Sequence, residues 1–584
     1  MTGYRDNWIA FGRWLILLTI LSSASAWAQQ VTVSIEGLPR DLQTNAEASV
    51  TLARMADREL TPAQIRRLHT DALEEIRRAL EPFGYYQTDI HSSLKQTAEV
   101  WTARYVVDAG PPVRITDIDI QILGPGEEDP AIQRVARSFP LKVGDVALHR
   151  RYEDGKRRMM RVANERGYIE ARMATKRLEV RPDTLAARVV LRMETGIRYC
   201  FGEVTLQQDV INPDFLARFV PFETGEPYSA DRLLQLQYRL LDAEYFSTVD
   251  VVPRRDLAKD CQIPIEVELA PAKRNRYTLG LGYGTDTGAR ALIGYTNRRV
   301  NRRGHRINVD ARLAETGNGV DARYVIPIDQ PATDNLALLG RVFDEDIDDR
   351  FSRIRSLGVA RNNVFGRWTR TLRLMLENET FDIGLGADPQ RSDALIPGLS
   401  FSYVSVNDPL ATDRGYRWSV DLQGAHEAAA SDITFAQVLT NVRTVYRVWP
   451  RGRFLARSDL GYTSVNGFDD LALSKRFYAG GDYSVRGYDY KSLGAIDEGG
   501  RNIGGRYLFT LGVDYEHRVY KDWSVAVFYD AGSAFNDTEP DLKQGAGVGL
   551  RWQTPVGPLR IDVAHPFDDP DTDYRLHLTF GPDL

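Results

Sequence analysis

The chain of 584 residues contains only two cysteines, and no long apolar run occurs beyond its extreme N-terminus. Two cysteines exclude a disulfide-rich scaffold and are too few for a cysteine-based zinc site. Without an apolar run of about 18 residues, the body of the chain has no ordinary transmembrane helix. A mean hydropathy of −0.35 would favour a soluble protein. Transmembrane β-barrels escape that test, because their apolar residues alternate with polar ones.

Signatures of catalysis and of nucleic-acid binding are also missing. The net charge is −6 without a basic block, which argues against bulk binding of nucleic acid. The eight histidines are scattered, and the sequence has neither an H-E-x-x-H motif nor a P-loop. The glycine-rich residues 280–284 alternate strictly and precede no helical pattern, which favours a strand over a nucleotide loop. We therefore expect no enzymatic activity, no cofactor and no metal.

The N-terminus has the layout of a secretory signal. Arg5 and Arg13 precede the apolar run Trp14–Leu21, and small residues follow up to Ala26-Trp27-Ala28. This order of basic, apolar and small residues predicts a signal peptide over residues 1–28, although a buried first helix is the alternative. Export would bring Cys200 and Cys261 into an oxidising compartment, where they form either a disulfide or two free thiols. We expect the disulfide.

The mature chain up to about residue 272 mixes strand and helix patterns. Apolar residues recur at helical spacing over residues 62–80, 152–166 and 230–243, which predicts one long helix in each of three units. A pair of strand patterns follows each helix, and the unit recurs at roughly 75–85 residues. We predict three small α+β domains in a row, at residues 29–110, 111–198 and 199–272.

From residue 273 onward the helical period disappears. Tyr277, Leu279, Leu281 and Tyr283 alternate with small residues, and about sixteen alternating segments follow one another up to residue 584. In an exported chain this pattern predicts a transmembrane barrel, because a closed barrel satisfies every backbone polar group in lipid. A soluble β-sandwich with one wet face is the alternative.

The longest connection, from about Ser464 to Gly505, carries the most distinctive residues. It contains R-F-Y-A-G-G at 476–481 and V-R-G-Y at 485–488, and F-Y-D-A-G follows at 528–532. N-D-P at 407–409, D-R-G at 413–415 and G-P-L-R-I-D at 557–562 complete the set. Each motif is weak alone, but their order and their barrel context make the set specific.

These motifs resemble those of the BamA/TamA outer-membrane insertase superfamily, whose sixth outer loop carries V-R-G-F/Y. The resemblance implies that the loop folds back into the barrel. There Arg486, with Gly487 and Tyr488, would lock onto Asp530 of the inner wall, and Glu516 would stand nearby. Strand alternation independently places Glu516 and Asp530 on the polar, inward face. A guanidinium facing carboxylates in an enclosed lumen makes strong and geometrically specific hydrogen bonds.

The resemblance covers essentially the whole mature chain. It implies α+β periplasmic POTRA domains followed by an all-β, 16-stranded antiparallel transmembrane barrel in the bacterial outer membrane. Three POTRA domains fit the TamA branch better than the BamA branch, which typically has five. The implied partners are a TamB-like periplasmic protein, outer-membrane client proteins and the lipid bilayer.

The first and last barrel strands are predicted to meet at a weak lateral seam. Gly280, Gly282 and Gly284 weaken the first strand, because glycine costs backbone entropy and packs no side chain. The last strand offers Leu576, Leu578 and Phe580. An open seam would expose backbone groups on which a client strand can be templated. The alternative is that the glycines only relieve crowding in the lumen.

Two functional classes follow from these observations. The first is an assembly factor that inserts or translocates autotransporter-like clients through the seam. The second is a passive outer-membrane channel, or a two-partner-secretion-type transporter, with periplasmic binding domains. A loop locked into the lumen by Arg486 favours the first class, since a simple pore does not need one.

Overall fold

A computed structural model describes residues 30–97, 100–347, 350–383, 388–408, 412–537, 539–554 and 557–580. The predicted signal peptide and residues 581–584 at the C-terminus lie outside these ranges. The chain forms two compact units. One comprises the residues up to Cys200 with Pro227–Ala230, and the other comprises Phe201–Glu226 with all residues from Asp231.

The first domain is a three-stranded sheet in the order β1-β3-β2, covered by helices. The long helix begins at a capping box, in which Thr61 and Gln64 each bond the other's backbone N–H, and Gly84 follows at φ 90°. Its buried face carries Ile65, Ile76 and Leu80. The elements are β1 (Gln30–Glu36), α1 (Arg40–Ser49), α2 (Thr51–Arg54), α3 (Pro62–Leu80), β2 (Asp89–Thr97) and β3 (Val100–Asp108).

The second domain repeats the arrangement, with β4 parallel to the central β6 and β5 antiparallel to it. A short helix that the periodicity did not reveal precedes the predicted long one. The elements are β4 (Arg114–Leu123), α4 (Pro130–Arg137), α5 (His149–Glu165), β5 (Arg172–Arg181) and β6 (Ala186–Glu194).

Gly155 lies inside helix α5 because Phe139 occupies the space that a side chain would need. A Cβ built at Gly155 would lie 2.2 Å from the Phe139 ring. We expect Gly155→Ala to destabilise this domain by about 1–3 kcal/mol, since overpacking outweighs the better helix propensity of alanine. Amide hydrogen exchange of α5 in the full-length protein measures the effect. Adding Phe139→Leu makes room and is expected to restore protection; unchanged exchange in the single variant would contradict the prediction.

The third domain has the sheet order β7-β9-β8. The Tyr245 hydroxyl donates a 2.6 Å hydrogen bond to the carbonyl of Gly304, which lies in a barrel turn, and so ties this domain to the barrel. The elements are β7 (Cys200–Gln207), α6 (Pro213–Ala217), α7 (Ala230–Asp242), β8 (Phe246–Pro253) and β9 (Gln262–Pro271). Within the described ranges, none of the helices α1–α7 has both the length and the apolarity needed to cross a membrane.

The expected disulfide is wrong: Cys200 and Cys261 are both free thiols in the structure. Cys261 lies in a turn ahead of β9 with φ 67°, and its side chain is exposed to solvent. Cys200 begins β7 and is only partly exposed. The left-handed turn therefore presents the Cys261 thiol to solvent rather than to a neighbouring strand.

The barrel is one sheet of sixteen strands, as the alternation predicted. Neighbouring strands along the sheet are antiparallel throughout. The first eleven strands are β10 (Asn275–Gly284), β11 (Gly288–Asn297), β12 (Arg306–Ala314), β13 (Gly317–Pro327), β14 (Asp334–Ile347), β15 (Arg350–Phe365), β16 (Trp368–Asp382), β17 (Gln390–Val406), β18 (Arg414–Ala425), β19 (Phe435–Trp449) and β20 (Gly452–Val465).

The long connection after β20 contains two short strands that pair with each other, β21 (Ala495–Ile496) and β22 (Asn502–Gly504). The barrel sheet resumes on the other side of this connection, where β23 pairs with β20. The last five strands are β23 (Tyr507–Tyr520), β24 (Trp523–Phe535), β25 (Lys543–Thr554), β26 (Gly557–Pro566) and β27 (Arg575–Phe580).

The outer face of the barrel is apolar and exposed. Leu281 is 91% exposed and Leu357 is 68% exposed, while the residues that alternate with such leucines face inward. A continuous exposed apolar surface is unfavourable in water and stable in lipid. This face is therefore the lipid-contacting side.

Candidate functional site

The connection between β20 and β23, residues 466–506, folds into the barrel and is here called the inner loop. Its residues Ala479, Val485, Tyr488 and Leu493 form a small buried cluster of their own. Single residues of the loop contact strands on several sides of the barrel, from Glu345 on β14 to His577 on β27. The loop is therefore a packed part of the lumen.

Arg486 is the centre of the inner loop's attachment. Its Nε donates to Asp530 at 2.6 Å, and its Nη2 donates to Asp530 at 3.0 Å and to Asp514 at 2.7 Å. Its Nη1 donates at 3.0 Å to both Asp514 and Asp562. All five guanidinium N–H groups therefore have a carboxylate acceptor. We call Asp514, Asp530 and Asp562 the acidic cradle.

The acidic cradle is almost completely shielded from solvent. Arg486 is 3% exposed and Asp530 is 0% exposed. The Phe528 ring lies 3.5 Å from the Arg486 guanidinium carbon and covers its face. Charge-assisted hydrogen bonds in such an enclosed place are strong, and losing one partner leaves an uncompensated buried charge.

Two further arginines from the barrel wall, Arg457 and Arg551, share these carboxylates. Arg457 donates to Asp530 at 2.7 Å, and Arg551 bonds both Asp514 and Asp562. Arg453 and Arg551 together hold Glu516, at 2.7 and 3.1 Å. The sequence predicts that Glu516 lies near the pair of Arg486 and Asp530. In the structure Glu516 bonds Arg453 and Arg551 rather than Arg486, and it reaches the acidic cradle only through Arg551.

The neighbours of Arg486 in the V-R-G-Y motif each have a structural role. Val485 is buried in the cluster of the inner loop. Gly487 has φ 104°, a left-handed conformation that favours glycine, and a Cβ there would lie 3.1 Å from the Pro566 nitrogen. The Tyr488 hydroxyl donates to the Gln544 carbonyl at 3.1 Å and accepts from the Asp568 N–H at 3.2 Å. The motif thus specifies a backbone path as well as a charge.

A second attachment lies on strands β14–β16. The Glu379 carboxylate accepts hydrogen bonds from the Ser474 N–H at 3.0 Å, from the Ser474 hydroxyl at 2.5 Å and from Ser352 at 2.8 Å. Lys475 pairs with Glu377, and Lys491 pairs with Glu345. No local sequence pattern predicts these residues as partners, because a contact between residues about a hundred positions apart has no local signal.

The predicted seam residues lie at the two ends of the sheet. Leu279 and Leu281 face lipid, whereas Gly280, Gly282 and Gly284 alternate with them, and Leu576, Leu578 and Phe580 belong to β27. Among the described residues, no backbone ladder joins β10 to β27, whereas all other adjacent strands of the barrel sheet are paired. Thr285, which directly follows β10, accepts a 3.1 Å hydrogen bond from the Leu578 N–H of β27.

One cluster near this seam has the residue types of a metal site. Ligand-type atoms of Asp286, Asp482 and His577 lie within 4.8 Å of one another. However, the Gly487 N–H donates to His577 Nε2 at 2.9 Å, so the His577 proton must be on Nδ1, which faces Asp482 at 2.6 Å. His577 thus presents a proton rather than a lone pair, and the cluster is a hydrogen-bonded one. His577 is 2% exposed, so the cluster is shielded from solvent on this side.

Two members of the acidic cradle escaped the sequence analysis. Asp514 lies two residues before Glu516, on the same inward face of β23. Strand alternation therefore makes the two carboxylates equally good candidates for binding Arg486. Asp562 ends the G-P-L-R-I-D motif, whose sequence alone does not indicate a partner. The path of the inner loop selects which of these inward carboxylates receives Arg486.

Family models match both the barrel part and the N-terminal part of the chain. Residues 300–583 match the Omp85 superfamily domain, and residues 32–109 match the POTRA domain TamA domain 1. The outer membrane protein assembly factor BamA of Nitratidesulfovibrio vulgaris is 22% identical over 366 residues, which cover 59% of this chain and 46% of that protein. This chain thus spans about half the length of that relative.

A solved structure, that of a BamA barrel, has the same fold. BamA from Haemophilus ducreyi lacking POTRA domains 1–3 superposes with a TM-score of 0.64 at 16% identity, covering 80% of this chain and 99% of that one. CdiB from Acinetobacter baumannii gives a TM-score of 0.46 at 14% identity, covering 80% of this chain and 89% of that one. With its POTRA domains in the periplasm and its sixteen-stranded barrel in the outer membrane, this chain belongs to the Omp85 superfamily, the superfamily of BamA and TamA.

Proposed function

We propose that this protein is an outer-membrane assembly factor that inserts or translocates client proteins of the autotransporter type. The observation that carries the proposal is the seam between β10 and β27, at which the described residues form no backbone ladder. Unpaired N–H and C=O groups facing lipid are unfavourable by several kcal/mol each. A client strand that pairs with either edge would satisfy them.

The two edges are suited to exchange partners. Within the described residues, β27 has six residues while its neighbour β26 has ten, so four residues of β26 lack a partner on that side there. The three inward glycines of β10 make the first strand entropically easy to displace. No nucleophile, metal or nucleotide is needed, because folding of the client supplies the free energy.

The POTRA domains would deliver clients or hold a partner by the same edge pairing. β2, β5 and β8 are each the outer strand of a three-stranded sheet and offer one unpaired edge. A TamB-like periplasmic protein is the partner that the family relationship suggests. A passive channel is the weaker candidate, because the inner loop fills the lumen with a buried ion cluster.

Site-specific photocrosslinking during client assembly tests the proposal. A photoreactive residue replacing Leu281 on β10 is expected to crosslink to the incoming client, because this position lies on the seam edge. Leu357 is the matched control: it is also lipid-facing, but β15 is paired on both sides, with β14 and β16. Client adducts of equal yield at both positions, or at neither, would reject entry through the seam.

A further inference from the structure

The end of the seam that lies away from the third POTRA domain is joined by side chains. Asp482 of the inner loop accepts a 2.8 Å hydrogen bond from the Thr285 hydroxyl and a 2.6 Å hydrogen bond from His577 Nδ1. Thr285 follows β10 directly, and His577 lies on β27. One carboxylate thus contacts both ends of the sheet at once.

Two additional hydrogen bonds complete this arrangement. The Asp482 N–H donates to the Asp286 carboxylate at 2.7 Å, and the Leu578 N–H donates to the Thr285 hydroxyl at 3.1 Å. His577 is 2% exposed and Asp482 is 7% exposed. We call Thr285, Asp286, Asp482 and His577 the seam clasp. It takes the place of a backbone ladder at this end of the seam.

The clasp also connects the seam to the Arg486 lock. His577 accepts the Gly487 N–H through Nε2, and Gly487 follows Arg486 in the chain. The inner loop must therefore be seated in the acidic cradle for His577 to have both of its partners. Seating of the loop and closure of the seam are thereby one structural event.

Carboxylate oxygens of Asp286 and Asp482 lie within 4.8 Å of each other, so two negative charges there repel each other. Burial and the adjacent Asp482 carboxylate raise the pKa of Asp286 to about 7. Asp286 lies in the turn beyond β10, outside the membrane-spanning strands. When the seam is open, the Asp286 carboxyl has its ordinary pKa of about 4. Protonation of Asp286 therefore stabilises the closed state fully below about pH 4. This contribution is lost as the pH rises through about 7.

We propose that the seam clasp is a proton-dependent latch: it holds β10 and β27 together while the Asp286 carboxyl carries a proton, and it releases them when that proton is lost. The inference deepens the function proposed above and rests on it for its biological role. The charged and titratable groups facing the pair are His577 and Arg575 on β27, and Asp489 and Tyr490 on the inner loop. Arg575 opposes protonation of Asp286, whereas Asp482 favours it.

The latch is tested on purified, client-free protein in lipid nanodiscs, with Cys200 and Cys261 replaced by serine. Spin labels on Tyr283→Cys and Leu576→Cys report the distance between β10 and β27 without altering the clasp. We expect a short distance at low pH and a broad, longer distribution at high pH, with the change falling between about pH 4 and about pH 7. Amide hydrogen exchange of β27 in the unlabelled protein gives the same readout without mutation.

Two variants separate the latch from a general effect of pH. Asp286→Asn keeps the acceptor for the Asp482 N–H and adds a permanent donor, so its seam is expected to stay closed at every pH. Asp482→Ala removes the bonds to both strands, so its seam is expected to be open at every pH. Asp537→Asn, in the turn after β24, is the matched control and should keep the transition of the parent protein.

Each alternative outcome has a defined meaning. A pH transition that persists in Asp286→Asn, or a closed seam in Asp482→Ala, overturns the latch. A seam that chelator opens at low pH, and that calcium or magnesium closes again, also overturns it, because the cluster would then be a cation site. Since no client is present, these results are independent of the crosslinking test of client entry.

Discussion

Arg486→Ala is expected to release the inner loop and to destabilise the barrel by about 3–5 kcal/mol, the usual effect of removing one partner from a buried ion pair. Without the guanidinium, Asp514, Asp530 and Asp562 lose a shared donor in a nearly solvent-free site. Arg457 and Arg551 remain, but their N–H groups already serve other acceptors as well. Thermal unfolding of the barrel, followed by gel mobility, measures the change.

Limited proteolysis of the inner loop distinguishes local release from global destabilisation. We expect new cleavage sites within residues 466–506 in Arg486→Ala, and none in the control Arg518→Ala at the exposed end of β23. Arg486→Lys keeps the charge but cannot fill all five acceptor positions, so it should be intermediate. The double variant Arg486→Ala with Asp530→Ala also removes the facing charge, and it is expected to recover part of the stability that Arg486→Ala loses.

The result that would contradict this account is specific. If Arg486→Ala left both the unfolding temperature and the protease resistance of the inner loop unchanged, the acidic cradle would not be what holds the loop. The attachment through Glu379, Glu377 and Glu345 would then carry that role.

Locking the seam is expected to abolish client assembly. Thr285→Cys and Leu578→Cys place one thiol on each side of the seam, at two residues whose side-chain hydroxyl (Thr285) and backbone N–H (Leu578) are 3.1 Å apart. With Cys200 and Cys261 replaced by serine, oxidation should join β10 to β27. A joined seam has no edge to offer, so assembly of an autotransporter-like client should fall to the level of a strain that lacks this protein.

Two controls separate the lock from the substitutions themselves. Reducing the disulfide of the double variant should restore client assembly to the level of the two single-cysteine variants. The Thr285→Cys variant alone measures the effect of losing the Thr285 hydroxyl from the clasp. A disulfide between Ile293→Cys and Ala311→Cys joins strands that are already paired and should have no effect. Normal client assembly with the seam joined would refute the lateral route and favour transport through the lumen.

Much of the architecture follows from local sequence patterns, because helices and strands bury one face at a fixed period. The spacing of apolar residues predicts the helix from Pro62 to Leu80 at its observed bounds, and alternation predicts sixteen barrel strands. The short helices α4 and α6 were missed, since five to eight residues contain too few turns to show a period. The pairing of Arg486 with Asp530 came from resemblance to a family, and alternation supported only the inward direction of Asp530.

The remaining features depend on long-range geometry. Alternation puts Asp514 and Glu516 on one face, but only the path of the inner loop brings Arg486 to the former. The same holds for His577, whose two nitrogens meet residues 90 and 95 positions away. The residues themselves therefore determined a barrel with inward charges and a long connection, while the folded chain selected which charges meet. The physical reason is that a period encodes the direction of a side chain, whereas a partner distant in sequence is set by loop path and strand register.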